Sequence, residues 1–189
     1  MSAWELPTSI EIAGKEYEIR SDFRPVLDIL EACGNPDVMY EAKIMIMIKI
    51  LYPGWQEIPL DNYKEAAEKA AAFIDGGIES DGKENRRTMD WMKDAPIIVP
   101  AINEVAGKEV RSLPYLHWWT FLGYYMEIKE SSLFSQVLQI RQKKVYGKRL
   151  EKYERKFYDK NKKIIDLEPV KRRSEREESE LRALFGLKG

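Results

Sequence analysis

Cysteine and histidine are the scarcest side chains of this 189-residue chain, with one of each, Cys33 and His117. A single cysteine excludes an intrachain disulfide, which fits a reducing compartment. Zinc sites take three or four Cys, His or acidic ligands, and a cysteine–histidine nucleophile pair needs a third group that orients it. Neither a P-loop nor a Gly-x-Gly-x-x-Gly fingerprint is present. The sequence therefore predicts no catalytic residue, no metal site and no cofactor, and favours a binding protein over an enzyme.

Long apolar runs are also missing. The longest apolar stretch is interrupted by Lys43, Lys49 and Pro53, and it falls short of the roughly 20 residues that span a bilayer. Residues 1–7 do not place a basic segment before an apolar run, as a secretory leader would. We expect a protein without membrane contact that stays in the cytoplasm.

The charges nearly cancel, with a formal net charge of −1, but they are unevenly distributed. Residues 141–173 hold fourteen Lys or Arg and five Asp or Glu, so the rest of the chain is acidic. A basic segment on an acidic body could meet nucleic acid, an acidic partner or another copy, although a solvated helix with a cationic outer face explains the pattern equally well. The isoelectric point of about 6.0 makes nucleic acid the weaker candidate.

Hydrophobic periodicity predicts a mainly α-helical fold of about six to eight helices with a small N-terminal β-hairpin. In the hairpin, Ile10 and Ile12 alternate with polar residues, as do Tyr17 and Ile19 on the second strand. Gly14 supplies the turn because glycine adopts positive φ readily. We expect one apolar face of this hairpin to lie on the core.

We divide the chain into five consecutive parts on this basis. They are a β-hairpin with three helices (1–78), a mobile loop (79–88), an aromatic-rich helical part of the same core (89–141), a basic helical arm (142–167) and a charged C-terminal tail that could be helical (168–189).

Capping residues and helix breakers predict the helix boundaries. The expected helices begin after Ser21 or Asp22, after Asp37 (ending near Leu51), at Asn62 (ending at Asp75), at Asp94 (ending at Ala106), after Ser112, and at Ser132 (ending near Arg141). Asp61, Asp90 and Asp94 are interpreted as helix caps. Pro100 is expected to bend or break its helix, because proline removes a backbone donor.

The second helix contains the run Ile44-Met45-Ile46-Met47-Ile48, which is apolar on every side. Such a helix usually lies at the centre of a core. A methionine-rich surface can also act as an adaptable binding groove. We favour the core interpretation and keep the binding surface as the alternative.

Two sets of apolar residues in the C-terminal part are candidate contact surfaces. A narrow heptad-like seam could dock on the body or on a second copy. A second set, on the charged tail, could contact a client protein or fold back on the core. The seam is Tyr146, Leu150, Tyr153, Phe157 and Ile164, and the tail set is Leu181, Leu184 and Phe185.

Three motifs together resemble one phage family. They are Leu116-His117-Trp118-Trp119-x-Phe121, the opening Leu6-Pro7 with Tyr17-x-Ile19-Arg20-Ser21-Asp22-Phe23-Arg24, and Ile140-Arg141 with Gly147-Lys148-Arg149-Leu150-x-Lys152-Tyr153-Glu154-x-x-Phe157-Tyr158-x-x-Asn161-Lys162. From Leu6 to Leu167 the chain is similar to the small tail assembly chaperones of long, non-contractile-tailed phages of Gram-positive hosts. The genes of this family lie just upstream of the tape measure gene. We expect the motif residues His117, Trp118, Trp119 and Phe121 to belong to the core.

The resemblance implies a function. Family members bind the long helical tape measure protein, keep it soluble, assist assembly of the tail tube and leave the finished virion. It therefore implies the tape measure protein as partner, with the major tail protein and a second copy as further candidates, and a location in the host cytoplasm. The alternative is a nucleic-acid-binding or regulatory protein that uses the basic segment 141–173.

Overall fold

The computed structural model describes residues 5–35, 37–77 and 87–167. It opens with a hairpin of two antiparallel strands, β1 (Ser9–Ile12) and β2 (Lys15–Glu18). Ile10 pairs with Tyr17, and the turn between the strands has positive φ at both Ala13 and Gly14. Such a two-residue turn matches the right-handed twist of the strands. The apolar side chains of the hairpin face the core, as predicted.

Seven α-helices follow within the described residues, which confirms the predicted mainly helical fold with an N-terminal hairpin. They are α1 (Phe23–Gly34), α2 (Tyr40–Leu51), α3 (Tyr63–Ile74), α4 (Trp91–Ala106), α5 (Trp118–Met126), α6 (Leu133–Val145) and α7 (Lys152–Ile165). Short 3₁₀ turns lie at Trp55–Glu57, Leu60–Asn62 and Val110–Ser112.

One hydrophobic core connects these elements, from Ile10 in the hairpin to Ile165 at the end of α7. Helix α2 packs on α1 and α3, and α4 packs on α5 and α6. Helix α7 is joined to the rest mainly through α6, while the hairpin rests on α3. Within the described ranges, no helix is both long enough and apolar enough to cross a membrane.

Two predicted N-caps are present in the structure. Asp22 accepts a hydrogen bond from the Arg24 N–H and caps α1. Ser132, expected as the first residue of its helix, is the N-cap of α6. Asp90 accepts from two backbone N–H groups at the start of α4. These polar side chains satisfy backbone donors that have no partner inside the helix.

Several predicted boundaries were wrong. Helix α2 begins at Tyr40 with Met39 as its N-cap, so Asp37 does not cap it. Asp61 lies in a 3₁₀ turn before α3 and makes no cap hydrogen bond. Helix α5 begins at Trp118 and is not capped by Ser112, which lies in another 3₁₀ turn.

Pro100 does not break α4, so of the two expected effects, a bend or a break, the break is excluded. Pro96 and Pro100 are both exposed, whereas Ile97, Ile98 and Ile102 on the other side of the helix are buried. A proline has no N–H to donate to the carbonyl four residues earlier. On the solvent-exposed side of the helix, water can bind that carbonyl instead. Burial of the isoleucine side holds the helix together across both prolines.

The basic arm is not one helix either. Residues 142–145 complete α6, and α7 starts only at Lys152. Gly147, with a φ of 65°, lies in the turn between the two helices. The expected mobile loop (79–88) lies outside the described residues except for its last two positions, and the expected tail (168–189) lies entirely outside them.

Candidate protein-binding surfaces

The Leu116–Trp119 segment joins three parts of the fold, and we refer to it with its partners as the motif junction. The backbone of this segment forms a short antiparallel bridge with residues 21–23. The Phe23 N–H donates to the Leu116 carbonyl at 3.0 Å, and the Trp118 N–H donates to the Ser21 carbonyl at 2.7 Å. Asp22 accepts from the Leu116 N–H at 2.9 Å. The segment therefore fixes the start of α1 against the start of α5.

His117 acts as the N-cap of α5. Its Nδ1 accepts the Trp119 N–H at 3.0 Å, and its Nε2 lies 2.9 Å from the Pro7 carbonyl. The neutral tautomer with a proton on Nε2 satisfies both contacts, because Nδ1 then keeps its lone pair. The ring is buried and has a structural partner at each nitrogen.

The two tryptophans of the motif connect the junction to the end of α3. The Trp118 indole N–H donates to the Ile74 carbonyl, and the Trp119 indole N–H donates to the Phe73 carbonyl, each at 2.8 Å. Both carbonyls belong to the last turn of α3, where backbone acceptors lack partners within the helix. Phe121 stacks on Phe23 with ring centroids 4.6 Å apart. The motif residues thus hold helices together, and the nitrogens of their side chains are hydrogen-bonded to backbone groups of the protein.

A second junction is built from charges, and we call it the ion-pair junction. Arg141 on α6 forms a bidentate pair with Asp94 on α4, at 2.6 and 2.7 Å. The same guanidinium donates to the Ile164 and Ile165 carbonyls at the end of α7. Both charged side chains are nearly inaccessible to solvent. Arg141 therefore ties three helices together, although the sequence assigned it to the basic segment.

Helix α2 carries the first candidate surface. Only Ile48 and Leu51 of this helix are fully buried, so the prediction that it lies at the centre of the core was wrong. Ala42, Met45 and Ile46 project together on the side opposite the buried residues. They are half-buried and are not among the residues packed against the core. We call this set the α2 outer face.

Helix α7 and the preceding turn form the second candidate surface. Of the predicted seam, Leu150 and Phe157 pack against the core. Tyr146, Tyr153 and Ile164 are exposed, by 52, 71 and 37% respectively. The five residues do not share one helix, because α6 ends before Tyr146 and Leu150 lies in the turn. Their role in docking or self-association stays a prediction.

The inward side of this region is neutralised by ion pairs. Lys143 lies 2.6 Å from Glu154, and Lys144 lies 2.5 Å from Asp166. The hydrogen bond from Lys143 is the main reason that the pKa of Glu154 is lowered. For Asp166, burial alone would raise the pKa, but the hydrogen bonds from Lys144 and Tyr158 outweigh it and lower the pKa.

The outward cations of α7 lack such partners. Within the described residues, no ion pair reaches the set Lys152, Arg155, Lys156, Lys160 and Lys163. All five are exposed. We call them the α7 basic face, and it offers a surface for an acidic partner or for phosphate groups.

No group of three or more His, Cys, Asp or Glu side chains in the described part of the chain is arranged to hold a metal ion. Burial raises the pKa of the Cys33 thiol, so this cysteine is not activated as a nucleophile. The predicted client-contacting residues Leu181, Leu184 and Phe185 lie outside the described residues.

Comparison with known proteins defines the class to which the chain belongs. Residues 4–167 match the family described as Bacteriophage Gp15 protein. The match covers most of the chain, so the chain belongs to this phage protein family. No curated protein and no solved structure matches it significantly.

Sequence reasoning missed the ion-pair junction and gave the binding surface on α2 only as the alternative. Asp94 and Arg141 are 47 residues apart, and nothing in their local sequence marks them as partners. The α2 face was visible as an alternative, because the run of isoleucine and methionine is longer than one helix side can bury.

Proposed function

We propose that this phage protein is a tail assembly chaperone that binds the tape measure protein, keeps it soluble and assists assembly of the tail tube. In this proposal it acts in the host cytoplasm by binding, without catalysis, and is absent from the mature virion. The major tail protein is a further partner. Membership of a phage family supports the coarse assignment, and the resemblance of the three sequence motifs supports the finer one.

The observation that carries the proposal is the α2 outer face. Met45 and Ile46 are half-exposed apolar side chains on a regular helix, next to Ala42. Small and flexible apolar side chains adapt to many partner surfaces. A long apolar helix can lie along such a face with its own apolar stripe.

The energetics suit a client that must later be released. One buried Leu- or Met-sized side chain contributes roughly 1.5–3 kcal/mol. A face with two such residues therefore binds reversibly. Many copies along one long client still give strong total binding, because each bound copy raises the effective concentration for contacts nearby. Leu181, Leu184 and Phe185 remain candidate client contacts in the same proposal.

Co-expression with tape measure fragments tests the proposal. We expect the wild-type protein to keep a tape measure fragment in the soluble fraction and to co-purify with it. The change Met45→Gln together with Ile46→Gln should reduce the recovered fragment several-fold, because it removes apolar contacts while keeping helix-forming side chains.

A matched control is Met126→Gln, which alters an exposed methionine on α5. It should leave recovery unchanged. Circular dichroism of each variant separates loss of binding from loss of folding. A triple change of Leu181, Leu184 and Phe185 to serine tests the tail in the same assay. If the wild-type protein retains no tape measure fragment, the chaperone proposal is wrong.

The alternative function is nucleic-acid binding, and the α7 basic face favours it. Cations on one helix side can follow a phosphate backbone. Binding would then weaken steeply as salt rises, because each phosphate contact releases condensed counterions. A mobility shift with DNA and RNA at low salt tests this alternative, and the absence of a shift removes it.

A further inference from the structure

Charge is segregated along the described chain. Residues 5–77 contain fourteen Asp or Glu and seven Lys or Arg, whereas residues 142–167 contain four Asp or Glu and ten Lys or Arg. Residues 87–141 between them hold six of each. No ion pair joins the acidic and the basic region within the described ranges. Among the described residues, the excess charge of each region is therefore not neutralised by the other region of the same molecule.

Three carboxylates of the acidic region lie together on the outer side of the hairpin. Glu11 and Glu16 are directly opposite each other, and Glu18 is opposite Ser9. All three glutamates are exposed and have no ion-pair partner within the described residues. Like charges directly opposite each other on paired strands are destabilising. Cations brought by a partner would relieve this repulsion.

The α7 basic face has matching chemistry and spacing. Lys152, Lys156 and Lys160 are four residues apart on the exposed side of α7, so they are separated by about 6 Å along the helix. Glu16 and Glu18 are two residues apart on one strand, which corresponds to about 7 Å. A helix laid on the hairpin can therefore bring successive lysines near successive glutamates.

An apolar groove lies beside the acidic hairpin face. It runs between β1 and α3, has a volume of about 680 Å³, and is lined by Phe73, Ala72 and Trp119. Lys69 also lies in this lining, and its ammonium group is paired with Glu65 at 2.8 Å. Tyr153, next to Lys152 on α7, is 71% exposed. An aromatic ring flanked by lysines is complementary to an apolar groove flanked by glutamates.

We propose that the hairpin face and its groove are the docking site for α7 of a second copy of this chain. Glu11, Glu16 and Glu18 meet the α7 basic face, and the groove between β1 and α3 receives Tyr153. The phosphate groups of a nucleic acid would neutralise only the α7 basic face, and the acidic hairpin would repel them. A second copy satisfies both surfaces at once. This inference does not depend on the identity of the client.

Charge reversal tests the contact. One variant carries Glu11→Lys, Glu16→Lys and Glu18→Lys, and the other carries Lys152→Glu, Lys156→Glu and Lys160→Glu. Sedimentation velocity of the wild-type protein should show association at low salt that weakens at about 0.5 M salt, where the Debye length is only a few Å. Each variant alone should be monomeric, because its two surfaces then carry the same sign.

An equimolar mixture of the two variants should associate again, because each supplies the charge that the other lacks. Glu127→Lys with Glu130→Lys is the matched control, since it reverses two exposed carboxylates outside the proposed contact, and it should associate like the wild type. Tyr153→Ser should weaken association several-fold, while Tyr40→Ser, at a site with 73% exposure, should not.

Circular dichroism of every variant is the control for correct folding. A wild-type protein that stays monomeric at low salt, or a mixture that fails to restore association, overturns the proposal. So does a monomeric wild type that gives a salt-dependent mobility shift with nucleic acid, which would assign the α7 basic face to phosphate groups.

Discussion

The motif junction and the ion-pair junction solve the same problem with different chemistry. At the motif junction, the Asp22 carboxylate accepts one backbone N–H, but the other contacts are neutral: the His117 ring and two indole N–H groups satisfy backbone atoms of neighbouring elements. At the ion-pair junction, one buried guanidinium neutralises a buried carboxylate and donates hydrogen bonds to two carbonyls at the end of α7. Neutral contacts can be lost one at a time, whereas a buried charge left alone is costly. The two junctions should therefore respond differently to substitution.

The largest effect is expected at the ion-pair junction. Arg141→Met keeps most of the side-chain volume but leaves Asp94 buried without its partner. Loss of one member of a buried pair typically costs about 3–5 kcal/mol of the free energy of unfolding. Urea denaturation followed by circular dichroism measures this change.

A double variant gives the control for that prediction. Asp94→Leu combined with Arg141→Met removes both charges, so its destabilisation should be smaller than the sum of the two single changes by at least about 1 kcal/mol. Strictly additive effects would show that the two side chains do not depend on each other.

A smaller effect is expected at the motif junction. Trp118→Phe keeps an aromatic ring but removes the indole donor, so the buried Ile74 carbonyl loses its partner. An unsatisfied buried acceptor costs about 1–3 kcal/mol. The same denaturation experiment applies, and a cost equal to that of Arg141→Met would contradict the proposed difference between the junctions.

Trp119→Phe provides the matched comparison within the motif junction. Its indole donates to the neighbouring Phe73 carbonyl in the same way, but the side chain is only half-buried. The Phe73 carbonyl keeps the Gly76 N–H at 3.1 Å, and water can replace the lost indole donor, so the cost should be lower than for Trp118→Phe.

The smallest effect is a pH dependence next to the ion-pair junction. The pKa of Glu154 is lowered in the folded protein, chiefly by the hydrogen bond from Lys143. The contact therefore stabilises the fold fully above the ordinary pKa of a glutamate, and this stabilisation is lost as the pH falls through the lowered value. Asp166 contributes in the same direction.

Thermal unfolding between about pH 7 and about pH 3 measures this acid sensitivity. Glu154→Gln should lower the melting temperature at neutral pH and bring it closer to that of the wild type in acid. Glu130→Gln changes an exposed carboxylate that has no ion pair among the described residues, and it should leave the pH profile unchanged. A parallel shift of the Glu154→Gln profile at every pH would contradict the assignment.

The elements that the sequence predicted well are those set by local patterns. Alternating apolar residues around Gly14 define the hairpin, and Asp22 and Asp90 are standard N-cap residues. The start of α5 was missed because its cap is His117, outside that standard set. The strand-like bridge before α5 pairs His117 with Asp22, and contacts of this bridge span 94 positions of the sequence, so no local pattern predicts it.

The candidate surfaces were less predictable, for a physical reason. A helix that is apolar on every side does not reveal which side faces the core, so the exposure of Met45 and Ile46 had to come from packing. Periodicity also placed Tyr146 and Ile164 on one seam, whereas Gly147 and the turn around it interrupt the helix. Asp94 and Arg141 required knowledge of how α4 and α6 pack.

The two indole hydrogen bonds give the molecule internal reporters. Trp118 is buried in the core, while Trp119 lines the groove between β1 and α3. In a nitrogen–proton correlation spectrum, the Trp119 indole signal should therefore shift when the groove fills, while the Trp118 signal stays in place until the fold itself opens. A single spectrum can then distinguish occupancy of the groove from unfolding.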